Sequence, residues 1–254
     1  MTDARLAAII EEAGRRLTAG APAPRGLPYL ALESASGTGT HLLDALCAHG
    51  IFRKYELVLD LAGGLGATGR WLAGRRGCSA VVTAEHPAVA AAGTVLTRRA
   101  RQRAQVHHVC APPAALPFRD ARFTHAWIVE TLPELPDVPA ALAEVFRVVR
   151  PGGHLAVQDL VGDAEALSTL RTWRVATLDA RRDAIHAAGF VDLKIRTADD
   201  TAERSARVVA ARALLLQQLA TTPTLADVGA QRASIAAALA EGRLRVVQLV
   251  GRRP

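Results

Sequence analysis

Cysteine, lysine, aromatics and long apolar runs are all scarce in this chain of 254 residues, and each scarcity excludes something. Three cysteines, Cys47, Cys78 and Cys110, are too few and odd in number for a disulfide framework, and none forms a C-x-x-C pair. His107, His108 and Cys110 stand close in sequence. Strand alternation, however, turns His107 away from the other two, so no metal site is expected. No apolar stretch approaches the roughly 18 residues of a membrane span. Met1 to Arg16 reads as an amphipathic helix with acids at Asp3, Glu11 and Glu12, without the basic, apolar and cleavage regions of a signal peptide. The expected location is the cytoplasm. Lysine occurs only at Lys54 and Lys194, so arginine carries almost all of the basic charge behind the net +7. Those arginines are scattered, apart from Arg98, Arg99, Arg101 and Arg103 on one predicted helix. Scattered charge reads as solvated surface and argues against a nucleic-acid partner.

What the chain has is apolar mass. Half its residues are hydrophobic and 22% are charged, enough to bury a sizeable core although aromatics make up only 4%. A single domain is expected over 1–254: an N-terminal helical cap over 1–50, a core over 51–200, and C-terminal helices with a closing strand over 201–254. The first helix ends near Gly20, and a Pro/Gly-rich connection leads to a second over His41–His49, capped by Thr38 or Thr40. From Leu57 onward short apolar runs alternate with helical stretches. Strands are predicted at Leu57–Leu61, Ala80–Glu85, Gln105–Cys110, Thr124–Val129, His154–Asp159, Val191–Arg196 and Leu244–Val250. Helices are predicted at Ala67–Arg75, Ala88–Arg103, Ala140–Val149 and Leu178–Ala188, the last stopped by Gly189, and over 202–219 and 232–240. Such alternation signals βαβ units. The expected fold is α/β, a doubly wound, mostly parallel Rossmann-like sheet with helices on both faces.

The sharpest feature is the run from Val58 to Ala67, a strand passing through Asp60-Leu61-Ala62-Gly63-Gly64-Leu65-Gly66 into a helix. Glycine is needed where backbone takes a positive φ or passes close to a ligand, and the helix start leaves amide N–H groups for an acceptor. Nineteen residues beyond Gly66, Glu85 ends the next apolar run, where an acid can accept hydrogen bonds from both ribose hydroxyls. Loop and acid together read as a site for an adenosine-containing cofactor. Gly64, Gly66 and Gly69 also satisfy the G-x-G-x-x-G pattern of NAD enzymes, so an NAD-dependent oxidoreductase is an alternative at this point.

Asp60, Ala62, Gly64 and Gly66 resemble the D-x-G-x-G-x-G motif of the class I S-adenosylmethionine-dependent methyltransferases. Leu116-Pro117-Phe118-Arg119-Asp120-Ala121-Arg122-Phe123 looks like the LPF-x-D-x-x-F segment of their small-molecule, type 11-like group. Glu144-Val145-Phe146-Arg147-Val148-Val149-Arg150-Pro151-Gly152-Gly153 is similar to their E-x-x-R-V-L-K-P-G-G segment, and Ala188-Gly189-Phe190 matches their A-G-F. The resemblance runs from about Glu56 to Arg196, in the family's order and spacing. It implies S-adenosyl-L-methionine as cofactor, with Asp60 organising the loop and the methionyl ammonium. Gly63, Gly64 and Gly66 would then let the backbone approach, Glu85 would hold the ribose, His86 would lie near the adenine, and Ala111 and Pro112 would form part of the adenine wall. Three positions depart from the family. Ala62 replaces a glycine, Pro112 replaces the acid that meets the adenine amine, and Thr124 replaces the aspartate of the F-D pair.

The resemblance implies methyl transfer to a small metabolite or natural-product precursor by in-line displacement, which needs alignment and water exclusion more than a base. If a base is present, Glu130 after the fourth strand and Asp159 after the fifth are the candidates, because ligands bind at the carboxyl ends of the strands. His125 and His154 are at the wrong end. Tyr29 and Trp173 are candidate apolar walls for the acceptor, within roofing segments Pro28–His41 and Leu160–Val175. Ala111-Pro112-Pro113-Ala114 lacks the amide or acid and the aromatic of the motif in amino-methylating nucleic-acid enzymes. A small-molecule partner, no nucleic acid and no membrane span are therefore expected, with a homodimer left open. A second alternative is a catalytically impaired relative that keeps the fold as a binding or structural partner.

Overall fold

A computed structural model describes residues 40–163, 173–197 and 226–254. Helix α1 (Thr40–His49) leads to β1 (Leu57–Asp60), α2 (Ala67–Arg76), β2 (Ser79–Ala84), α3 (Pro87–Arg99), β3 (Val106–Cys110) and β4 (Phe123–Val129). After a single 3-10 turn at Leu132–Glu134 come α4 (Val138–Val148), β5 (Val149–Gly162), α5 (Leu178–Ala187), β6 (Val191–Thr197), α6 (Ala226–Ala240) and β7 (Leu244–Arg252). The seven strands form one sheet in the order β3-β2-β1-β4-β5-β7-β6. Strands β1 to β5 pair in parallel, and β7 lies antiparallel between β5 and β6. The expected doubly wound class holds, with one inserted antiparallel strand.

Alternation along the central strands supplies two cores. Val58, Trp127, Val129, Ala156 and Val250 face one side, against Trp71, Leu72 and Leu96 from the helices. Leu59, Ile128, Leu155, Val157 and Leu249 face the other, against Leu142, Val145, Ile185 and Phe190. Helix ends follow their caps. Asp137 accepts from the Ala140 amide at 2.9 Å and Thr177 from the Ala180 amide at 3.1 Å. Gly189, at φ +103°, stops α5 as expected, and a β-carbon there would sit 2.8 Å from the Phe146 ring.

Two expectations need correction. Strand β5 is much longer than His154–Asp159: it starts at Val149, opposite Phe123 of β4, and β7 pairs with it continuously from His154 opposite Arg252 to Gly162 opposite Leu244. Helix α3 ends at Arg99, and Arg101 takes φ +58°, so Arg98, Arg99, Arg101 and Arg103 do not share one helical face. The expected helices over 1–16 and 202–219 fall outside the described residues.

The last residues close the molecule. The Arg253 amide donates to the Gly153 carbonyl at 2.9 Å, and its guanidinium donates to the carbonyls of Phe146 at 2.7 Å, Arg147 at 2.9 Å and Val149, while lying 4.6 Å over the Phe146 ring. One cation thereby satisfies the carbonyls left open at the end of α4. Arg253→Ala is expected to lower the free energy of unfolding by about 2 kcal/mol, the scale of hydrogen bonds to a charged group. Urea denaturation with an unchanged m-value checks it.

Candidate functional site

The turn after β1 is held from three directions. The Leu61 amide donates to the Trp127 carbonyl of β4 at 3.0 Å, the Ala62 amide to Thr83 Oγ1 of β2 at 2.9 Å, and the Gly66 amide to the Gly63 carbonyl at 2.8 Å. Ala62 at φ +51°, Gly64 at +56° and Gly66 at +82° coil the backbone through the left-handed region. Ala62 pays for its side chain there in strain, about 1 kcal/mol relative to glycine. Beneath the turn lies Asp60, fully buried. Thr68 Oγ1 donates to its Oδ2 at 2.7 Å and the Gly69 amide also donates to it, while Oδ1 is buried with no hydrogen-bond partner. Burial pushes this carboxyl up to about 7, against the opposing pull of Thr68, the Gly69 amide and the Arg70 charge. A β-carbon at Gly63 would stand 2.6 Å from the Asp60 carboxyl carbon, whereas one at Gly64 would meet nothing within 4 Å. Glycine is thus required at 63 by the carboxylate below. At 64 the turn opens onto free space.

A histidine locks this turn to its neighbours. His108 of β3 is half-buried, its Nε2 2.9 Å from Thr97 Oγ1 of α3. Its ring fills the notch between Gly66 and Gly93, where added β-carbons would come to 2.4 and 2.5 Å of its Cε1. Burial, then the charges of Arg70 and His107, lower its pKa to about 4, so the ring is neutral at physiological pH. Sequence reasoning weighed His108 only as a metal ligand. The signal that it packs was Gly93, a glycine in the middle of an alanine-rich helix. His107 and Cys110 are exposed, and Cys110 Sγ lies 3.4 Å from the Glu85 carbonyl. Among the described residues no group of three His, Cys, Asp or Glu is placed to hold a metal ion.

The rim beside the turn carries the remaining predicted cofactor residues. Glu85 is exposed directly after β2, and His86 is exposed as the residue preceding α3. The Ala111 amide donates to the Ala84 carbonyl at 3.0 Å, which sets the end of β3 beside Glu85. Register and turn therefore bring Asp60, Gly64, Glu85 and Pro112 to one edge of the sheet. The Ala111 side chain departs from the expected wall, because it is buried in the core with Leu59, Leu61 and Leu116; Pro112 is exposed. The next segment is clamped by α4. Glu144 accepts from the Leu116 amide at 2.7 Å and from Arg147 Nε at 2.7 Å, while Arg147 donates to the Phe118 carbonyl and to Asp120 at 2.8 and 2.7 Å. Thr124, in the place of the family's aspartate, donates to the Leu57 carbonyl and accepts from its amide, both at 3.0 Å, and so ties β4 to β1.

The two candidate bases separate. Glu130 is buried at φ +57° at the end of β4. Its amide donates to the Gln158 carbonyl at 2.7 Å, Gln158 Nε2 donates to its Oε1 at 2.9 Å, and Gln248 Nε2 donates to Gln158 Oε1 at 3.0 Å. Asp159 is not after a strand but inside β5, opposite Val247 of β7, and its Oδ2 lies 2.6 Å from Nε of buried Arg181 on α5. That ion pair gives Asp159 a structural partner and withdraws it as a base. Trp173 is likewise corrected: it is buried among Leu160, Val175, Ile235 and Val246 and belongs to the core. Tyr29 lies outside the described residues. His125 and His154 stack 5.4 Å apart in register with the start of β1, away from the turn.

Comparison with known proteins agrees with this geometry. Residues 59–157 match the family described as methyltransferase domain. Over 140 residues the chain is 29% identical to the methyltransferase GfsG of Streptomyces halstedii, covering 52% of this chain and 49% of that protein. The chain spans about half the length, or less, of the curated relatives it matches. In fold it is similar to the (4+2)-cyclase SpnF, with a TM-score of 0.71 at 19% identity over 84% of this chain and 81% of that one. It is also similar to geranyl diphosphate C-methyltransferase from Streptomyces coelicolor A3(2), solved with S-adenosyl-L-homocysteine, at TM-score 0.66 and 14% identity over 84% and 79% of the two chains. The match over 59–157 agrees with the resemblance to methyltransferases read from the sequence.

The His108 notch makes a prediction whose sign runs against helix propensity. Replacing a mid-helix glycine by alanine ordinarily stabilises by up to about 1 kcal/mol. Gly93→Ala is instead expected to destabilise by about 1–3 kcal/mol, the range for overpacking, because the new methyl meets the His108 ring. The double variant with His108→Ala should recover part of that loss, measured by a thermal double-mutant cycle.

Proposed function

We propose that the chain transfers a methyl group from S-adenosylmethionine to a small-molecule acceptor. The observation that carries this reading is the turn itself, with buried Asp60 beneath it, open space at Gly64, and Glu85 beside it at the end of β2. The residues present fit the cofactor. Asp60 Oδ1 is a buried acceptor without a donor, suited to an ammonium directly or through water, and Glu85 is an exposed carboxylate suited to two ribose hydroxyls. When bound, the cofactor supplies an electrophilic methyl on an already activated sulfonium leaving group. The chain's own part is to hold, orient and exclude water. The turn amides and Glu85 bind, the Glu144–Arg147 clamp fixes the rim, and Glu130, held by Gln158, would accept a proton from a methyl acceptor at the carboxyl end of the sheet. The cytoplasm is the expected place of action.

A second reading follows from the cyclase neighbour, which has this fold under a name that is not a methyltransferase. In that case the cofactor pocket would be kept and methyl transfer lost. An NAD-dependent oxidoreductase is disfavoured by the methyltransferase match over 59–157. Calorimetric titration with S-adenosylhomocysteine and with NADH tests the cofactor. Micromolar binding of the first alone is expected, and Glu85→Ala should weaken it by about 1–3 kcal/mol through lost charge-assisted hydrogen bonds. Binding of NADH alone would sink the proposal. Formation of S-adenosylhomocysteine from S-adenosylmethionine and an acceptor panel separates transfer from the second reading.

Asp60 adds a pH signature. With its folded pKa raised to about 7, the free chain holds this proton below neutrality. Contact of an ammonium with ionised Asp60 would release it, so S-adenosylhomocysteine affinity is expected to rise with pH by up to about tenfold per unit below pH 7 and level off above it. In the free chain the same raised pKa works the other way, its contribution to stability falling as pH climbs from about 4 through 7. Asp60→Asn should flatten the binding profile, as read by titration in buffers of different ionisation enthalpy.

A further inference from the structure

At the end of the sheet away from the glycine turn, His49, Ile51, His154, Asp192, Lys194 and Arg252 line a cavity of about 400 Å3. The sheet register builds it. His154 of β5 stands opposite Arg252 of β7, Arg252 is opposite Val191 of β6, and Lys194 is opposite Val250. A bulge between Val191 and Lys194, with Asp192 at φ +55°, reshapes this stretch of the edge strand. Arg252 spends its charge on Asp192, donating to Oδ2 from Nε at 2.9 Å and Nη2 at 2.7 Å. Lys194 is exposed, and among the described residues no carboxylate is paired with it, so it is the cation of the lining that Asp192 does not offset. Two imidazoles flank it. His154 is held in place by its stack on His125, and burial together with the Arg252 and Lys194 charges lowers its proton affinity against the opposing pull of the Glu56 carboxylate, which lies 3.5 Å from His125. His49 carries a buried Nε2 with no hydrogen-bond partner. Ile51, a β-branched residue at φ +58°, holds the wall in a strained conformation of the kind found at ligand clamps.

These features share one chemistry: a lining in which Lys194 and Arg252 outnumber the one carboxylate, Asp192, a ring nitrogen without a partner, and a volume suited to a small molecule. We propose that the cavity is a second ligand site, for a small phosphate-bearing anion, with Lys194 as its charge partner and His49 and His154 as hydrogen-bond donors. It is separate from the glycine turn and independent of methyl transfer.

The test is titration of the full chain with inorganic phosphate at constant ionic strength, followed by thermal unfolding and by the NMR signals of the His49 and His154 rings. A saturable stabilisation is expected, with both rings shifting. Lys194→Met should weaken it at least tenfold, Lys194→Arg should retain much of it, and Lys54→Met, with its ammonium 4.9 Å over the Tyr55 ring, should leave it unchanged. A parallel arm with glycerol phosphate separates the sources: tighter binding than inorganic phosphate assigns a phosphate ester, and equal binding assigns the free ion. A response that does not saturate, that leaves both rings unmoved, or that is equal in Lys194→Met overturns the proposal. Retained S-adenosylhomocysteine binding in Lys194→Met shows an intact fold, and failure of the wild-type chain to bind that compound leaves this second site standing. Should Lys194→Met not fold, the wild-type ring shifts alone decide.

Discussion

A carboxylate sealed from water is the constraint from which the site grows. Asp60 ends β1 fully buried, and a buried carboxylate costs several kcal/mol unless donors surround it. The chain meets that demand locally: Thr68 and the Gly69 amide, both in the first turn of α2, point back at Oδ2. To bring the start of a helix over the end of the preceding strand, the backbone must reverse within a few residues through positive φ at 62, 64 and 66. The glycine pattern is therefore the geometric consequence of covering Asp60. Oδ1 is left over as a buried acceptor without a donor.

The turn is also fixed from outside. His108 reaches from β3 into the notch between Gly66 and Gly93 and bonds Thr97, so one ring joins the loop, α3 and β3. A neutral imidazole suits this better than a charged one, since the Arg70 guanidinium lies close enough to disfavour protonation. Glu144 and Arg147 do the same work at the next segment, binding the Leu116–Asp120 backbone to α4. Two stretches that resemble family motifs are thus halves of a single ionic clamp. Thr124 shows how the family's aspartate can be replaced: a hydroxyl both gives to and takes from Leu57, which a carboxylate cannot do.

Local patterns were legible in the sequence, and distant pairings were not. The strand–turn–helix at Asp60, the acid at Glu85 and the stop at Gly189 depend on residues near one another in the chain, so glycine, acid and periodicity announce them. Strand β5 was read as ending at Asp159 because what carries it on to Gly162 is β7, about ninety residues later in the chain. Asp159 was read as a candidate base for a related reason. Its partner Arg181 sits on a separate helix, and nothing in the spacing of the two residues advertises a 2.6 Å contact. Trp173 shows the limit of residue type, for an aromatic near a predicted pocket is equally at home in the core it joins with Leu160 and Val246. His108 was named, but for metal chemistry, because packing against two glycines has no sequence signature unless both glycines are suspected.

The antiparallel strand has a consequence for where chemistry can collect. In an all-parallel sheet every strand delivers its carboxyl end, with its loop, to one side. Inserting β7 between β5 and β6 brings the opposite polarity to both ends. At the carboxyl end of β4 it contributes Gln248, which completes a buried row through Gln158 to Glu130 and fixes that acid's carboxylate. At the far end it contributes Arg252 beside His154 and Asp192, concentrating charge where the parallel strands merely begin. The same strand that orients an acid at the candidate acceptor side therefore builds the charged wall of the cavity at the other.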